Sequence, residues 1–298
     1  MQSAAETLSP SVRTLGAISA VTHVVADLGP IIAAYGRVLG FTPVRVGRLG
    51  AEAARGWGAP RAEGAEFVIL ARPRVEAELR FIARPHAAGW RALTSWGWNC
   101  AEFLVADPDA MARACAEDGA FQVIGPPMSL TRFPMIRAMQ ALGPAGECLY
   151  FTRTGEGHGL DLAQAREPVD RVFIAVAGGP DLARMLGVYR GFGNAFDPPV
   201  ATPVRVLSRA NGLDPETPHA HALVALGAGT HVELDEYPPQ CAARPVPEGD
   251  LPPGMAIVSF RGGPRASHRF ATPCAAGDQA ASLQRGAAGE LIEVLEAA

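Results

Sequence analysis

The stretch Ala20–Phe41, AVTHVVADLGPIIAAYGRVLGF, predicts a strand, a tight turn and a helix. β-Branched residues dominate Val21–Ala26, which favours an extended backbone. Asp27 can cap the following helix, Pro30 suits its first turn, and Gly40 can end it. Apolar residues recur at helical spacing between these signals, which predicts that one face of the helix is buried.

The same pattern recurs in Val169–Phe196, VDRVFIAVAGGPDLARMLGVYRGFGNAF, and less completely from about residues 100 and 255. A spacing of roughly 70–85 residues is longer than that of solenoid repeats. The chain is therefore predicted to hold four units of the order βαβββ, an α+β fold. The further strands predicted after the helices are Thr42–Val46, Glu66–Ala71, Glu78–Ala83, Gln122–Ile124, Ala138–Leu142, Glu147–Thr152, Val204–Leu207, Ala220–Leu226, Thr230–Glu236, one near Phe270, and Gly289–Leu295.

The composition fits a globular protein and excludes several classes of function. Of the 298 residues, 48% are hydrophobic and 19% are charged, and a net charge of −4 gives no reason to expect nucleic acid or an anionic membrane as partner. All 26 basic residues are arginine. Because pyridoxal phosphate and P-loop nucleotide sites both need a lysine, we expect neither cofactor.

The cysteines and the first residues of the chain point to the cytoplasm. The five cysteines are an odd number and lack CxxC spacing, so we expect neither a disulfide framework nor a structural zinc site. Residues 1–14 lack the basic start and apolar core of a signal peptide and are expected to form a flexible leader. No apolar run is long enough to span a membrane.

Three motifs carry a resemblance to a known family: DLGPIIAAYGRVLGF, VADPDAMARACAEDGAF with GPAGECLYFT, and GAGTHVELDEYP. The pattern resembles the vicinal oxygen chelate superfamily, which includes glyoxalases, bleomycin-resistance proteins and extradiol dioxygenases. The resemblance implies four βαβββ modules paired into two cup-shaped domains. With successive modules paired, residues 15–156 and 157–298 would form these domains.

The resemblance also implies where a divalent metal (Fe, Mn, Ni or Zn) would bind, on a His of each module's first strand and a Glu of its last strand. The first half of the chain has no such set, and the second half keeps two acids without the histidines. The first-strand positions hold Ala20, Cys100, Arg171 and Met255, and the last-strand positions hold Arg80, Tyr150, Glu233 and Glu293.

A second route to a metal site depends on a hairpin. His219 and His221 alternate along a strand, so both face one side. If the loop within Leu226–Thr230 has three residues, these histidines share a face with Glu233 and Asp235; a two-residue loop separates them. The metal ligands would then be Glu233, Glu293 and His221. The alternative is that both histidines are partly exposed strand residues.

We expect a small-molecule enzyme with a lyase, isomerase or dioxygenase-like reaction on an oxygenated, aromatic-derived or carbonyl substrate in the second cup. The alternative is a metal-free ligand-binding protein of the bleomycin-resistance type, and the fold leaves open a homodimer. In the first hypothesis Glu233, Glu293 and Arg171 are catalytic, although Arg171 would equally serve to neutralise the two acids. The predicted substrate-binding residues are His219, His221, Arg80 and Tyr150.

Overall fold

The computed structural model describes residues 15–157, 160–196, 198–262, 272–276 and 279–295. The predicted leader and the strand near Phe270 lie outside these ranges. The helices are α1 Gly29–Ala34 with a π-helical turn Tyr35–Leu39, α2 Ala51–Gly56, α3 Pro108–Asp118, α4 Leu182–Tyr189 and α5 Arg205–Ala210. The strands are β1 Leu15–Val25, β2 Thr42–Arg48, β3 Glu66–Ala71, β4 Glu78–Ala83, β5 Gly97–Val105, β6 Gln122–Ser129, β7 Arg137–Leu142, β8 Cys148–Arg153, β9 Val169–Gly179, β10 Asn194–Ala195, β11 Val200–Pro203, β12 Pro218–Ala225, β13 His231–Glu236, β14 Gly254–Gly262, β15 Thr272–Ala276, β16 Gln279–Arg285 and β17 Leu291–Leu295.

Two sheets contain these strands, and each sheet draws on two of the four units. The eight-stranded sheet has the order β15-β16-β17-β14-β1-β4-β3-β2. The nine-stranded sheet has the order β10-β12-β13-β9-β5-β8-β7-β6, with β11 paired to β12. We call the concave side of the first sheet, built by units one and four, the one–four cup. That of the second sheet is the two–three cup.

The predicted pairing of successive units into cups is therefore wrong, although the prediction of paired βαβββ modules is confirmed. The seams of the sheets are antiparallel pairs of first strands, β1 with β14 and β5 with β9. All four of these strands are almost entirely buried. Because they are similarly apolar, the sequence pattern does not specify which one pairs with which.

One predicted element has the wrong type. Val204–Leu207 was predicted to be a strand, and most of it belongs to helix α5. A short apolar run fits either structure by periodicity alone, and the short strands β10 and β11 fill the sheet positions instead.

Three apolar clusters hold the fold together. The largest lies on the helix side of the two sheets and includes Tyr35, Phe81 and Phe103. The one–four cup has its own cluster, in which Trp57 follows α2, and the two–three cup has another, in which Leu207 of α5 takes part. A short helix thus covers each cup, namely α2 of unit one over the one–four cup and α5 of unit three over the two–three cup. Among the described residues, no helix is long and apolar enough to cross a bilayer.

Candidate active site

Glu293 lies at the centre of the one–four cup and is fully buried. The indole Nε1 of Trp57 donates to its Oε1 at 2.7 Å. The hydroxyl of Ser259 and Nη1 of Arg80 donate to its Oε2 at 2.6 and 3.1 Å. The resemblance assigns Glu293 as a metal ligand. Its carboxylate is already paired with the guanidinium of Arg80, so its negative charge is neutralised and no longer attracts a metal ion.

The two–three cup is built around the hairpin of β12 and β13. His221 lies opposite Asp235, and Leu223 lies opposite Glu233. The amide of Leu226 donates to the carbonyl of Thr230 at 2.8 Å, which leaves three residues in the loop. The three-residue register is therefore the one observed, and the two histidines share a face with the two acids.

Three carboxyl groups of this cup lie close enough to affect one another's ionisation. Burial raises the pKa of Glu102 to about 8, and the charge of Glu233 adds to the shift. Burial, followed by the charge and hydrogen bond of Glu233, raises the pKa of Asp235 well above its usual range. Burial also raises the pKa of Glu233, but His221 and the hydrogen bond from Asp235 lower it again. His221 and Asp235 therefore favour the carboxylate form of Glu233, which is also the one of the three acids that remains partly exposed.

The two histidines have different surroundings. The ring Nε2 of buried His219 shares a 2.8 Å hydrogen bond with the hydroxyl of Ser208 on α5. Burial, then the charge of His221, lowers the pKa of His219, which keeps it neutral near pH 7. His221 is partly exposed and lies close enough to Glu233 to affect its ionisation. Of the two histidines, His221 is therefore the one that both solvent and Glu233 can reach.

Tyr237 completes the polar face of the cup. It follows β13 and continues the alternation of Glu233 and Asp235, so its side chain belongs to the same cluster as Tyr150. The ring lies against Gly178 of β9, where a Cβ would come within 2.2 Å of the ring carbons. Only glycine at position 178 leaves room for this ring.

The structure separates two of the groups of residues predicted to act together. Glu293 lies in the eight-stranded sheet, whereas Glu233 and His221 lie in the nine-stranded sheet, so these three cannot bind one metal ion. Arg80 and Tyr150 are likewise in different cups. Both errors follow from the pairing of units across the chain rather than within its halves.

Arg171 is also not where it was predicted to be. It lies near the start of β9, five positions before the residue that pairs with Glu233. Its Nη2 donates to the carbonyl of Ala228 at 2.7 Å and its Nη1 lies 3.6 Å from Glu76. It therefore joins the hairpin loop to the other sheet. A surface cavity of about 450 Å³ lies nearby, and its lining includes none of the polar residues described for the two cups. It is lined by Leu15, Gly16, Ala17, Glu76, Gly227, Ala228, Arg261 and Gly262.

The donors present do not fit the metal that the resemblance implies. In the part of the chain that the structure describes, no three His, Cys, Asp or Glu side chains converge as ligands of one ion. Arg80 fills the corresponding place in the one–four cup. We therefore derive no chemical step through a metal.

Sequence reasoning missed three residues of these sites. Glu102 is the single acid of a largely apolar strand, and the sequence alone shows this. Tyr237 could have been found by extending the two-residue period from Glu233. The bond from Trp57 to Glu293 had no sequence signal, because the two residues are 236 positions apart.

Comparison with known proteins supports the fold. No protein-family model and no curated protein sequence matches the chain. Glyoxalase I from Zea mays matches with a TM-score of 0.60 and 12% identity, over 94% of this chain and 92% of that one. A Bacillus subtilis subsp. subtilis str. 168 protein, described provisionally as a dioxygenase, matches with a TM-score of 0.62 and 13% identity, over 96% and 86%. The chain therefore has the fold of the vicinal oxygen chelate superfamily.

Proposed function

We propose that the protein is an enzyme that transfers protons on an oxygenated small molecule, as an isomerase or a lyase, in the two–three cup. The observation that carries the proposal is the placement of the Glu233 and Asp235 carboxyl groups on one face of β13, close to a third buried acid, Glu102. Neighbouring acids whose pKa values are driven apart supply a base and an acid at the same pH.

The charges around these acids distinguish the two cups. In the one–four cup, Arg80 neutralises the buried acid. In the two–three cup, none of the three acids forms an ion pair with an arginine among the described residues. Unlike a buried acid whose oxygens are filled by hydrogen-bond donors, Asp235 also leaves its Oδ1 without a partner among the described residues. Buried acids with neither a cation nor a full set of donors are costly for stability, which is typical of catalytic groups.

Each residue then has a role. Glu233, the more readily ionised and more exposed acid, is the base. Burial favours the protonated forms of Asp235 and Glu102, which can donate a hydrogen bond or a proton to oxygen. His221, at the rim beside Glu233, carries the proton to solvent. The hydrogen bond between Ser208 and His219 orients the His219 ring, two residues before His221.

A second candidate, a metal-free ligand-binding protein of the bleomycin-resistance type, is favoured by the one–four cup. There the acid is satisfied by three donors, so the cup can enclose a ligand without transferring a proton. A dioxygenase-like reaction needs a redox centre, and the arrangement of donors within the described ranges does not fit one.

The test follows hydrogen exchange by proton NMR in D2O with a panel of ketones, aldehydes, hydroxy acids and phenols. We expect the wild type to exchange or convert at least one compound, and Glu233→Gln to lower that rate by about 100-fold or more. Glu117→Gln, an exposed acid on α3, is the matched control and should leave the rate unchanged. Full turnover by Glu233→Gln would overturn the proposal, and a compound bound tightly but recovered unchanged would support the second candidate.

A chelation experiment tests the independence from metal. Dialysis against EDTA, checked by elemental analysis, should leave the exchange rate and the melting temperature unchanged, because the carboxyl groups of the cup act as acids and base without an ion. A loss of activity that iron, manganese, nickel or zinc restores would contradict this view.

A further inference from the structure

Tyr237 carries a buried donor that the fold does not use. The residue is 4% exposed, and its hydroxyl has no hydrogen-bond partner among the described residues. An unsatisfied buried donor costs about 1–3 kcal/mol, so a phenylalanine would be the more stable choice for packing alone. The hydroxyl is therefore placed at an energetic cost where a ligand oxygen can meet it.

Arg244 gives that position a positive environment. Its guanidinium donates to neutral oxygens, namely the carbonyls of Trp98, Pro253 and Met255 and the hydroxyl of Ser95, at 2.6 to 3.2 Å. It forms no ion pair within the described ranges. Burial raises the pKa of the Tyr237 phenol well above its usual range, which keeps it a donor, and the charge of Arg244 acts in the opposite direction, which favours negative charge at this place.

Tyr237 and Glu233 border the same place in the cup. Glu233 lies beside Val176 of β9, which lies beside Cys100 of β5. The Tyr237 ring lies against Gly178, two residues from Val176 on the same face of β9. Glu233 stands on the rim side of Asp235 and Tyr237 on the other side. The cup therefore has the carboxylate base, Glu233, at one end. At the other end it has the hydrogen-bond donor Tyr237, with the guanidinium of Arg244 nearby.

We infer that Tyr237 donates a hydrogen bond to the substrate oxygen on which negative charge develops, and that the substrate is an uncharged ketone or aldehyde with a hydrogen on the adjacent carbon. The inference rests on the proposed proton transfer to Glu233. The C–H bond breaks and its proton moves to the Glu233 carboxylate. The electron pair forms a C=C bond while the carbonyl π electrons move to oxygen, which Tyr237 stabilises as an enolate.

The reverse electron movement completes the reaction. When the enolate carbon, or a carbon conjugated with it, takes a proton back from Glu233, the carbonyl is restored and the base is regenerated. A substrate carboxylate is the wrong class for this place, because it would put a second negative charge beside Glu233.

The first arm of the test is binding of 4-nitrophenol, whose phenolate mimics an enolate and absorbs at longer wavelength than the phenol. The wild type should bind it as the phenolate at a pH where the free probe is mainly phenol. Tyr237→Phe should bind it about tenfold or more weakly, with a melting temperature at or above that of the wild type. Tyr150→Phe, in the same cup, should change the affinity less. Equal binding by Tyr237→Phe, or no binding by the wild type, would overturn the inference.

The second arm is hydrogen exchange of whichever ketone or aldehyde the wild type labels in D2O. Tyr237→Phe should slow it by about 100-fold or more. An unchanged rate in Tyr237→Phe together with a lost rate in Glu233→Gln would overturn the role of Tyr237 and leave the proposed function standing. Loss of phenolate binding in Tyr237→Phe together with full exchange in Glu233→Gln would reject the base and keep the oxyanion site.

Discussion

The hydroxyl of Tyr35 donates a 2.8 Å hydrogen bond to Oε1 of Glu147, and Tyr189 repeats this bond with Glu290 at 3.1 Å. Each tyrosine belongs to the helix of an odd-numbered unit, and each glutamate to the last turn of the next unit. The other carboxylate oxygen of Glu147 accepts from a turn amide at 2.8 Å. We call these two tyrosine–glutamate hydrogen bonds the clasps. They join successive units on the helix side, whereas the sheets join unit one to unit four and unit two to unit three.

The clasps should stabilise the fold equally. Removing the donor in Tyr35→Phe leaves a buried carboxyl with one hydrogen bond fewer, so we expect the free energy of unfolding to fall by about 1–3 kcal/mol. Tyr189→Phe should lower the free energy of unfolding by a similar amount. Urea denaturation followed by circular dichroism measures both. Tyr237→Phe is the control of opposite sign, and a loss of stability there equal to that of Tyr35→Phe would contradict the distinction between clasp and site.

Glu147 should make stability depend on pH. Burial raises its pKa from 4.5 to about 7, so the folded protein holds a proton that the unfolded chain releases above pH 4.5. The stability that this proton supplies is complete below pH 4.5 and is lost as pH rises toward about 7, on the order of 3 kcal/mol in all. Glu147→Gln should be less stable at low pH yet show a shallower slope across this window. An unchanged slope in denaturation curves would refute the assignment.

The ion pair of Arg80 and Glu293 should be structural. Arg80→Met leaves a fully buried carboxyl without its cation, and we expect a loss of about 3–5 kcal/mol. The double variant Arg80→Met with Glu293→Gln should recover much of that loss. Arg48→Met, which breaks the exposed pair with Glu66, should change stability by less than about 1 kcal/mol. Equal effects of Arg80→Met and Arg48→Met would show that the cup is open to water.

Gly178 should be required for the position of Tyr237. In Gly178→Ala the new methyl group would meet the ring carbons at 2.2 Å, so the ring must shift. We expect a loss of about 1–3 kcal/mol and weaker 4-nitrophenol binding. Gly187→Ala, on the exposed face of α4 with open space at its Cβ, should instead gain up to about 1 kcal/mol and keep the binding. Normal probe binding in Gly178→Ala would argue against a fixed ring.

The sequence by itself determined the repeat and most of its elements, because these depend on neighbours along the chain. Strands β3 and β4 have the predicted ends, and helix α3 begins after Asp107, whose carboxylate accepts two backbone amides as its cap. The sequence left the length of the hairpin loop open, and the observed three-residue loop gives His221 and Asp235 their common face. Local periodicity and turn chemistry suffice for features of this kind.

Only the tertiary structure decided which units share a sheet, and with that the content of each cup. The first strands of all four units are buried and apolar, so nothing local distinguishes the pairing of β1 with β14 from its alternatives. That pairing placed Arg80 on Glu293 and left Glu233 with Asp235 and Glu102. Whether a buried acid is neutralised depends on its neighbours in space, which the order of residues along the chain does not specify.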